Sequence, residues 1–247
     1  MKTMLITGGS RGIGAATAVL AAEAGFAVAI NYHKNEAAAQ RVVAAIEARG
    51  GIAVAIQADI SEEDQVLKLF SETDRLLGSL RSLINNAGIL ERQMRLDEMD
   101  AARLRRIFSV DITGQILCAR EAVRRMSVKY GGQGGTIVNV SSIAARTGAP
   151  NEYVDYAASK GAVEAFTIGL SKEVAAEGIR VNGVRPAFIH TGIHADGGEP
   201  GRIERIKNSL PMQRGGLDKE VAEAILWLAS EKSSYSTGTF IDVTGGR

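Results

Sequence analysis

Short apolar runs alternate with longer helix-patterned stretches along the whole chain, and this alternation limits the fold more than any other feature. The runs are MLIT (4–7), AVAIN (27–31), IAVAIQ (52–57), RSLINN (81–86), GTIVNVSS (135–142), IRVNGV (179–184) and TFIDV (239–243). Most are apolar throughout, the pattern of strands covered on both faces. Helical patterns fill 12–24, 35–49, 62–77, 97–130, 153–177 and 218–230. Gly25, Gly50, Gly78 and Gly178 stand where helices should end, the usual place of a left-handed residue. Strands separated by helices imply right-handed crossovers, hence an α/β fold with a parallel sheet between two helical layers. Residues 187–217 mix Gly, Pro, Met and charge without a clear period and are expected to form a functional loop or lid.

Composition narrows the function classes. Lys plus Arg (29) nearly cancels Asp plus Glu (28), so no strong field favours nucleic acid or an anionic membrane. A basic stripe, interleaved aromatics and a zinc pattern are absent, so no nucleic-acid partner is expected. No apolar run approaches the roughly 20 residues of a membrane span, and MKTMLITGG is too short for a signal peptide. The lone Cys118 cannot form an internal disulfide and reads as a buried small hydrophobe. These features predict a cytoplasmic protein of 247 residues in one domain.

The first strand runs into TGGSRGIG (7–14) and then into an Ala-rich helix. Gly8, Gly12 and Gly14 suit a tight turn, backbone lying close to a phosphate, and close helix–strand packing. The helix N-terminus offers free N–H groups and a positive dipole end to a pyrophosphate. At the end of the second strand, many NAD sites carry an acid for the adenosine ribose. Here the segment is Asn31-Tyr32-His33-Lys34, with no acid, and Arg11 adds a cation from the glycine loop. Both features favour a 2′-phosphate and hence NADP, with NAD as the alternative. Asp59, ending the third strand, is a candidate for the adenine amino group, with Ser61 expected to cap the helix that follows.

In YAASK (156–160), Tyr156 and Lys160 are four apart and share a helix face. A free tyrosine has a pKa of about 10, and a nearby ammonium stabilises the phenolate. The small Ala157, Ala158 and Ser159 leave room for a cofactor. Ser142 ends the fifth strand, where the carboxyl ends of an open parallel sheet line the ligand crevice. The pattern predicts a tuned proton donor with a serine to hold the substrate oxygen.

Over essentially its whole length the chain resembles the short-chain dehydrogenase/reductase family. The matching pieces are TGGSRGIG (7–14), NNAG (85–88), the strand ending at Ser142, YAASK (156–160), VRP (184–186) and TG…GG (237–246). The resemblance implies one doubly wound, Rossmann-like three-layer sandwich with a seven-stranded parallel sheet. It implies hydride transfer between a nicotinamide and a carbonyl/alcohol pair, commonly in a homotetramer. Tyr156 would be the general acid/base, Lys160 would hold the nicotinamide ribose and lower the tyrosine pKa, and Ser142 would orient the substrate. Ser10, Ile13, Ile60, Asn86, Ala87 and Gly88 would line the cofactor, with Pro186, Ala187, Ile189 and Thr191 around the carboxamide. Two departures stand out. The family's usual Asn is Asp111, in VDITG, and the usual Pro-Gly is Pro186-Ala187. A negative charge at Asp111 opposes phenolate formation, and Ala187 would be strained if its φ were positive.

Specificity is expected from Arg146, Asn151, Glu152, His190, His194 and Met212. The polar character of Arg146, Asn151, Glu152 and His190 points to a polar ketone, polyol or sugar. His190 and His194 are four apart, but no third ligand supports a metal. One alternative is a 3-oxoacyl-acyl-carrier-protein reductase docking its acidic carrier on Arg124, Arg125 and Lys129. Another is a nucleotide-binding protein without turnover, supported by Asp111 alone. Apolar residues on the 97–130 and 153–177 helices (Ile116, Leu117, Val123, Val163, Phe166, Leu170) are expected to pair copies of the chain around two-folds.

Overall fold

The computed structural model describes all 247 residues. Each apolar run forms a strand: β1 (Lys2–Ile6), β2 (Phe26–Tyr32), β3 (Ile52–Gln57), β4 (Leu80–Asn85), β5 (Gly135–Val140), β6 (Ile179–Pro186) and β7 (Phe240–Val243). They make one parallel sheet in the order β3-β2-β1-β4-β5-β6-β7. Leu5 pairs with Ala29 on one side and Leu83 on the other. The chain winds outward from β1 in both directions, so the carboxyl ends of β1 and β4 flank the switch point where a crevice opens.

Helices cover both faces, as the doubly apolar strands require. One layer holds α1 (Gly12–Glu23), α2 (Glu36–Glu47) and α10 (Asp218–Ala229). Ala18, Val43 and Ile225 from these helices meet Met4, Val28 and Val138 of the sheet. The other layer holds α3 (Glu63–Leu77), α5 (Gln115–Met126) and α7 (Val154–Glu173). There Phe70, Cys118 and Phe166 meet Leu5, Leu83 and Ile137. Cys118 is fully buried, and burial pushes its thiol up to about 12, well above any reactive range. Gly25, Gly50, Gly78 and Gly178 all take positive φ where helices end. No helix is long and apolar enough to cross a membrane.

Several expectations need correction. The 97–130 stretch is continuously helical only over 101–126, as α4 (Ala101–Phe108), a wide π turn over Ser109–Gly114, and α5, with separate 3-10 turns at Leu96–Glu98 and Val128–Tyr130. Gly114 lets this stretch lie close to β3's end, because a Cβ there would stand 2.8 Å from the Ile60 carbonyl oxygen. Ser61 is not the cap of α3. Asp59 accepts from the Ser61 N–H at 3.0 Å and from its hydroxyl at 2.7 Å. Residues 187–217 are ordered into α8 (Ile193–Asp196), α9 (Arg202–Ile206) and a 3-10 turn, after a single parallel bridge between Ile189 and Gly216. Of the residues expected to pair copies, Val163 is core, and Leu117, Val123, Phe166 and Leu170 face it. Only Ile116 is exposed. A short helix α6 (Ala144–Thr147) joins β5 to the α7 approach.

Candidate active site

The glycine loop is held by the chain beside it. Thr7 Oγ1 accepts the N–H groups of Asn86 and Ala87, both at 3.0 Å. The Asn86 amide donates back to the carbonyls of Thr7 (2.9 Å) and Gly8 (3.0 Å). Asn31 accepts the Gly8 N–H at 3.2 Å and donates to the Ala58 carbonyl at 2.9 Å, so the loop is tied to β3 as well. Gly8 and Gly12 take φ of +60° and +50°, which only glycine adopts without strain. A Cβ on Gly14 would lie 2.5 Å from the Gly8 carbonyl oxygen. The loop thus presents bare backbone, and α1 begins with no side-chain cap and no acid in its first turn. Free N–H groups at the dipole's positive end fit an anionic pyrophosphate.

One cleft runs from this loop along the sheet's carboxyl edge. Its walls include Gly8, Ser10, Arg11, Gly12 and Ile13, then Asn31, Tyr32, His33, Lys34, Asp59 and Ile60. Asn86, Ala87, Gly88, Ser142, Tyr156, Lys160, Pro186, Ala187, Ile189 and Thr191 continue the wall. Two sequence candidates stay out of it. Gly14 packs beneath the loop, and Asp111 is wholly buried behind Gly88. Ala187 is not among the positive-φ residues, so the Pro-Ala departure carries no backbone strain. Sequence reading misses Ile89, Val110 and Ile193, which add apolar surface to the wall. Isolated aliphatic residues carry no motif, so no local signal marks them.

Tyr156 sits in the first turn of α7 and Ser142 two residues beyond β5. The Ser142 hydroxyl accepts the Ala144 N–H at 3.1 Å and stands close enough to the Tyr156 phenol to favour its ionised form. Lys160 is one turn on, its Nζ 5.4 Å from the tyrosine ring centre and donating to the Val140 carbonyl at 3.0 Å. Asp111 accepts the Ile89 N–H at 2.8 Å and a long bond of 3.4 Å from Ser159 Oγ. Gly88 separates Asp111 from Lys160, where a Cβ would be 3.3 Å from Nζ and 3.5 Å from the carboxylate. Burial pushes the Asp111 carboxyl up to about 6, against the pull of Lys160. Burial and then the Asp111 charge push the phenol above its ordinary value, while Ser142 pulls it down. Burial lowers the Lys160 ammonium, and Asp111 raises it. In the protein alone burial outweighs the pull of Ser142, so the phenol lies above its ordinary value rather than below it.

The polar specificity candidates scatter. Arg146 pairs with Asp242 at 2.6 Å, and Glu152 pairs with Arg202. His190 and Met212 line other hollows, and Asn151 lies outside the cleft wall. Only His194 borders the cleft, its Nε2 bonded to the Ile189 carbonyl at 3.0 Å. No cluster of His, Cys, Asp or Glu is placed to hold a metal. Arg11 reaches across to α8 and pairs with Asp196. His33 lies 3.3 Å from Asp59, and Lys34 is exposed beside them. The α8–α9 segment is held by Glu199, which binds Gln93, Arg202 and Arg205 and is held down to about 2, foremost by Arg205.

A protein-family model described as "Enoyl-(Acyl carrier protein) reductase" matches residues 8–247. The chain is 57% identical to "Uncharacterized oxidoreductase YgfF" of Escherichia coli over 100% of both chains. It is 38% identical to a 3-oxoacyl-[acyl-carrier-protein] reductase of Synechocystis, covering 99% of this chain and 96% of the relative. The solved structure of acetoin dehydrogenase YohF from Salmonella typhimurium superposes with a TM-score of 0.88 at 34% identity, over 100% of this chain and 96% of that one. With the seven-stranded doubly wound sheet, these matches carry the conclusion that the chain belongs to the short-chain dehydrogenase/reductase family of NAD(P)-dependent oxidoreductases acting on CH–OH donors.

Proposed function

We propose that the protein is an NADP(H)-preferring reductase of small polar ketones, with Tyr156 as the general acid. The observation that carries this is one cleft lined both by the glycine loop and by Ser142, Tyr156 and Lys160. A bound nicotinamide supplies the hydride. The chain's own residues handle the proton: Ser142 orients the carbonyl oxygen, Tyr156 donates to it as charge develops, and the Lys160 ammonium stabilises the phenolate left behind. A phenol held protonated suits reduction at neutral pH, and oxidation of the alcohol gains as pH rises.

The acid-free end of β2, with exposed Lys34 and His33, supports a 2′-phosphate. Arg11 is the second cation, although Asp196 of α8 holds it here. The likeness to acetoin dehydrogenase supports a small, oxygen-rich ketone. The apolar Ile89, Val110 and Ile193 in the same wall set a limit to that polarity. The acyl-carrier reading rests on the Synechocystis relative's name and needs a basic docking face. Two of its three cations are engaged, Arg124 with Glu121 and Arg125 with Glu121 and Asp74. That favours the free ketone. We place the enzyme in the cytoplasm, in line with its lone buried thiol, and propose a homotetramer.

The test is a fluorescence titration with NADPH and with NADH, followed by a ketone panel assayed with the tighter coenzyme. NADPH binds more tightly, and Tyr156→Phe lowers kcat about 100- to 10,000-fold on the best ketone. Equal or tighter NADH binding overturns the coenzyme assignment, and full activity of Tyr156→Phe overturns the general-acid role.

A further inference from the structure

We propose that the buried Arg103–Asp155 ion pair is a positioning device for Tyr156. The proposal rests on the general-acid reading of that tyrosine.

The first N–H groups of a helix have no acceptor within it. In α7 the N-cap residue Tyr153 supplies no side-chain bond. Asp155 does part of the capping instead, its Oδ1 accepting the Tyr156 N–H at 2.9 Å. The same carboxylate is gripped from α4, with Arg103 Nε 2.6 Å from Oδ2 and Nη2 3.4 Å from Oδ1. The pair is sealed from water, the two side chains being 4% and 0% exposed. Arg103 is fixed in turn. Asp100 caps its N–H at 2.7 Å, and its Nη1 donates to the Arg92 carbonyl at 2.6 Å. One guanidinium thus joins three pieces: the start of α4, the 89–95 segment beside the cleft, and the turn that carries Tyr156.

Stability is a poor account of such a pair. Desolvation of two charges offsets most of their attraction, and well-packed apolar residues often serve as well. Geometry is a better account, because a planar fork on a carboxylate fixes direction as well as distance. A misplacement of about 1 Å at a reacting group can lower the rate about 100-fold.

The test uses the full chain labelled with 3-fluorotyrosine, in wild type, Tyr156→Phe, Arg103→Met, Arg103→Lys and the double variant Arg103→Met/Asp155→Leu. The Tyr156 fluorine resonance is identified by its loss in Tyr156→Phe. Arg103→Met broadens or splits that resonance but not those of Tyr32, Tyr130 and Tyr235. On the best ketone with NADPH it lowers kcat about 10- to 100-fold, with KM within about 3-fold. Arg103→Lys recovers part of the loss. The double variant, free of an unpaired buried charge, regains the wild-type melting temperature but not the single resonance. A wild-type Tyr156 resonance and kcat in the folded double variant overturn the proposal. Full activity in Tyr156→Phe overturns the general-acid reading instead, since the resonance still reports where the ring sits.

Discussion

Asp111 is the residue whose chemistry is furthest from expectation. Its carboxyl is wholly buried and pushed up to about 6 from an ordinary 3.8. A carboxyl raised on folding is penalised in its charged form. The penalty is complete above pH 6, shrinks as pH falls, and is gone below the unfolded value. At about 1.4 kcal/mol per pH unit that gap corresponds to about 3 kcal/mol. Asp111→Asn retains an acceptor for the Ile89 N–H and removes the charge. It is expected to stabilise the protein by about 1–3 kcal/mol at pH 7.5, with the gain vanishing near pH 4, as followed by urea melts at both pH values. A constant difference between the two pH values excludes Asp111 as the titrating group. The sequence shows that a charge replaces an amide here, but not that this position, inside the π turn, is wholly buried. Tyr156 and Lys160 are legible because a four-residue spacing fixes a helix face. Arg146 and Glu152 mislead in the sequence because distant partners, Asp242 and Arg202, decide where they point.

At the level of elements, the loop after β1 is readable because its constraint is local backbone geometry. Its lock is less so, since NNAG lies about 80 residues away and meets the loop only through the β1–β4 pairing. Gly14 tests that lock. A Cβ there would come within 2.5 Å of the Gly8 carbonyl oxygen and 2.6 Å of the Asn86 amide, and both are already committed to hydrogen bonds. Gly14→Ala is expected to cost about 1–3 kcal/mol in thermal unfolding, the usual range for forcing atoms into a filled site. It should weaken NADPH binding as well. Wild-type values for both would mean that α1 can shift without disturbing the loop. The π turn between α4 and α5 is not legible, because the apolar period continues through Ser109–Gly114. The close approach of Gly114 to Ile60 is a tertiary contact that no periodicity encodes.

For the whole molecule, the strand order follows from alternation and handedness, which is why the sheet is predictable before any contact is known. Association is different, because it depends on which faces remain uncovered. On α7 the outward strip is Ala158, Gly161, Ala165, Ile168 and Gly169, with Gly161 itself half-buried. A Cβ on Gly161 or Gly169 would meet nothing within 4 Å. In a free helix, glycine costs about 0.5–1 kcal/mol relative to alanine, so Gly→Ala at such a site should stabilise a monomer. If α7 instead lies against α7 of a second copy around a two-fold, the added methyl meets the partner's backbone. Under the proposed homotetramer, Gly161→Ala/Gly169→Ala is therefore expected to lower the sedimentation coefficient at micromolar concentration and to lower the melting temperature. A tetramer that persists in the variant moves the interface to another face. A wild-type monomer that gains about 1–2 kcal/mol from the two alanines removes the assembly altogether.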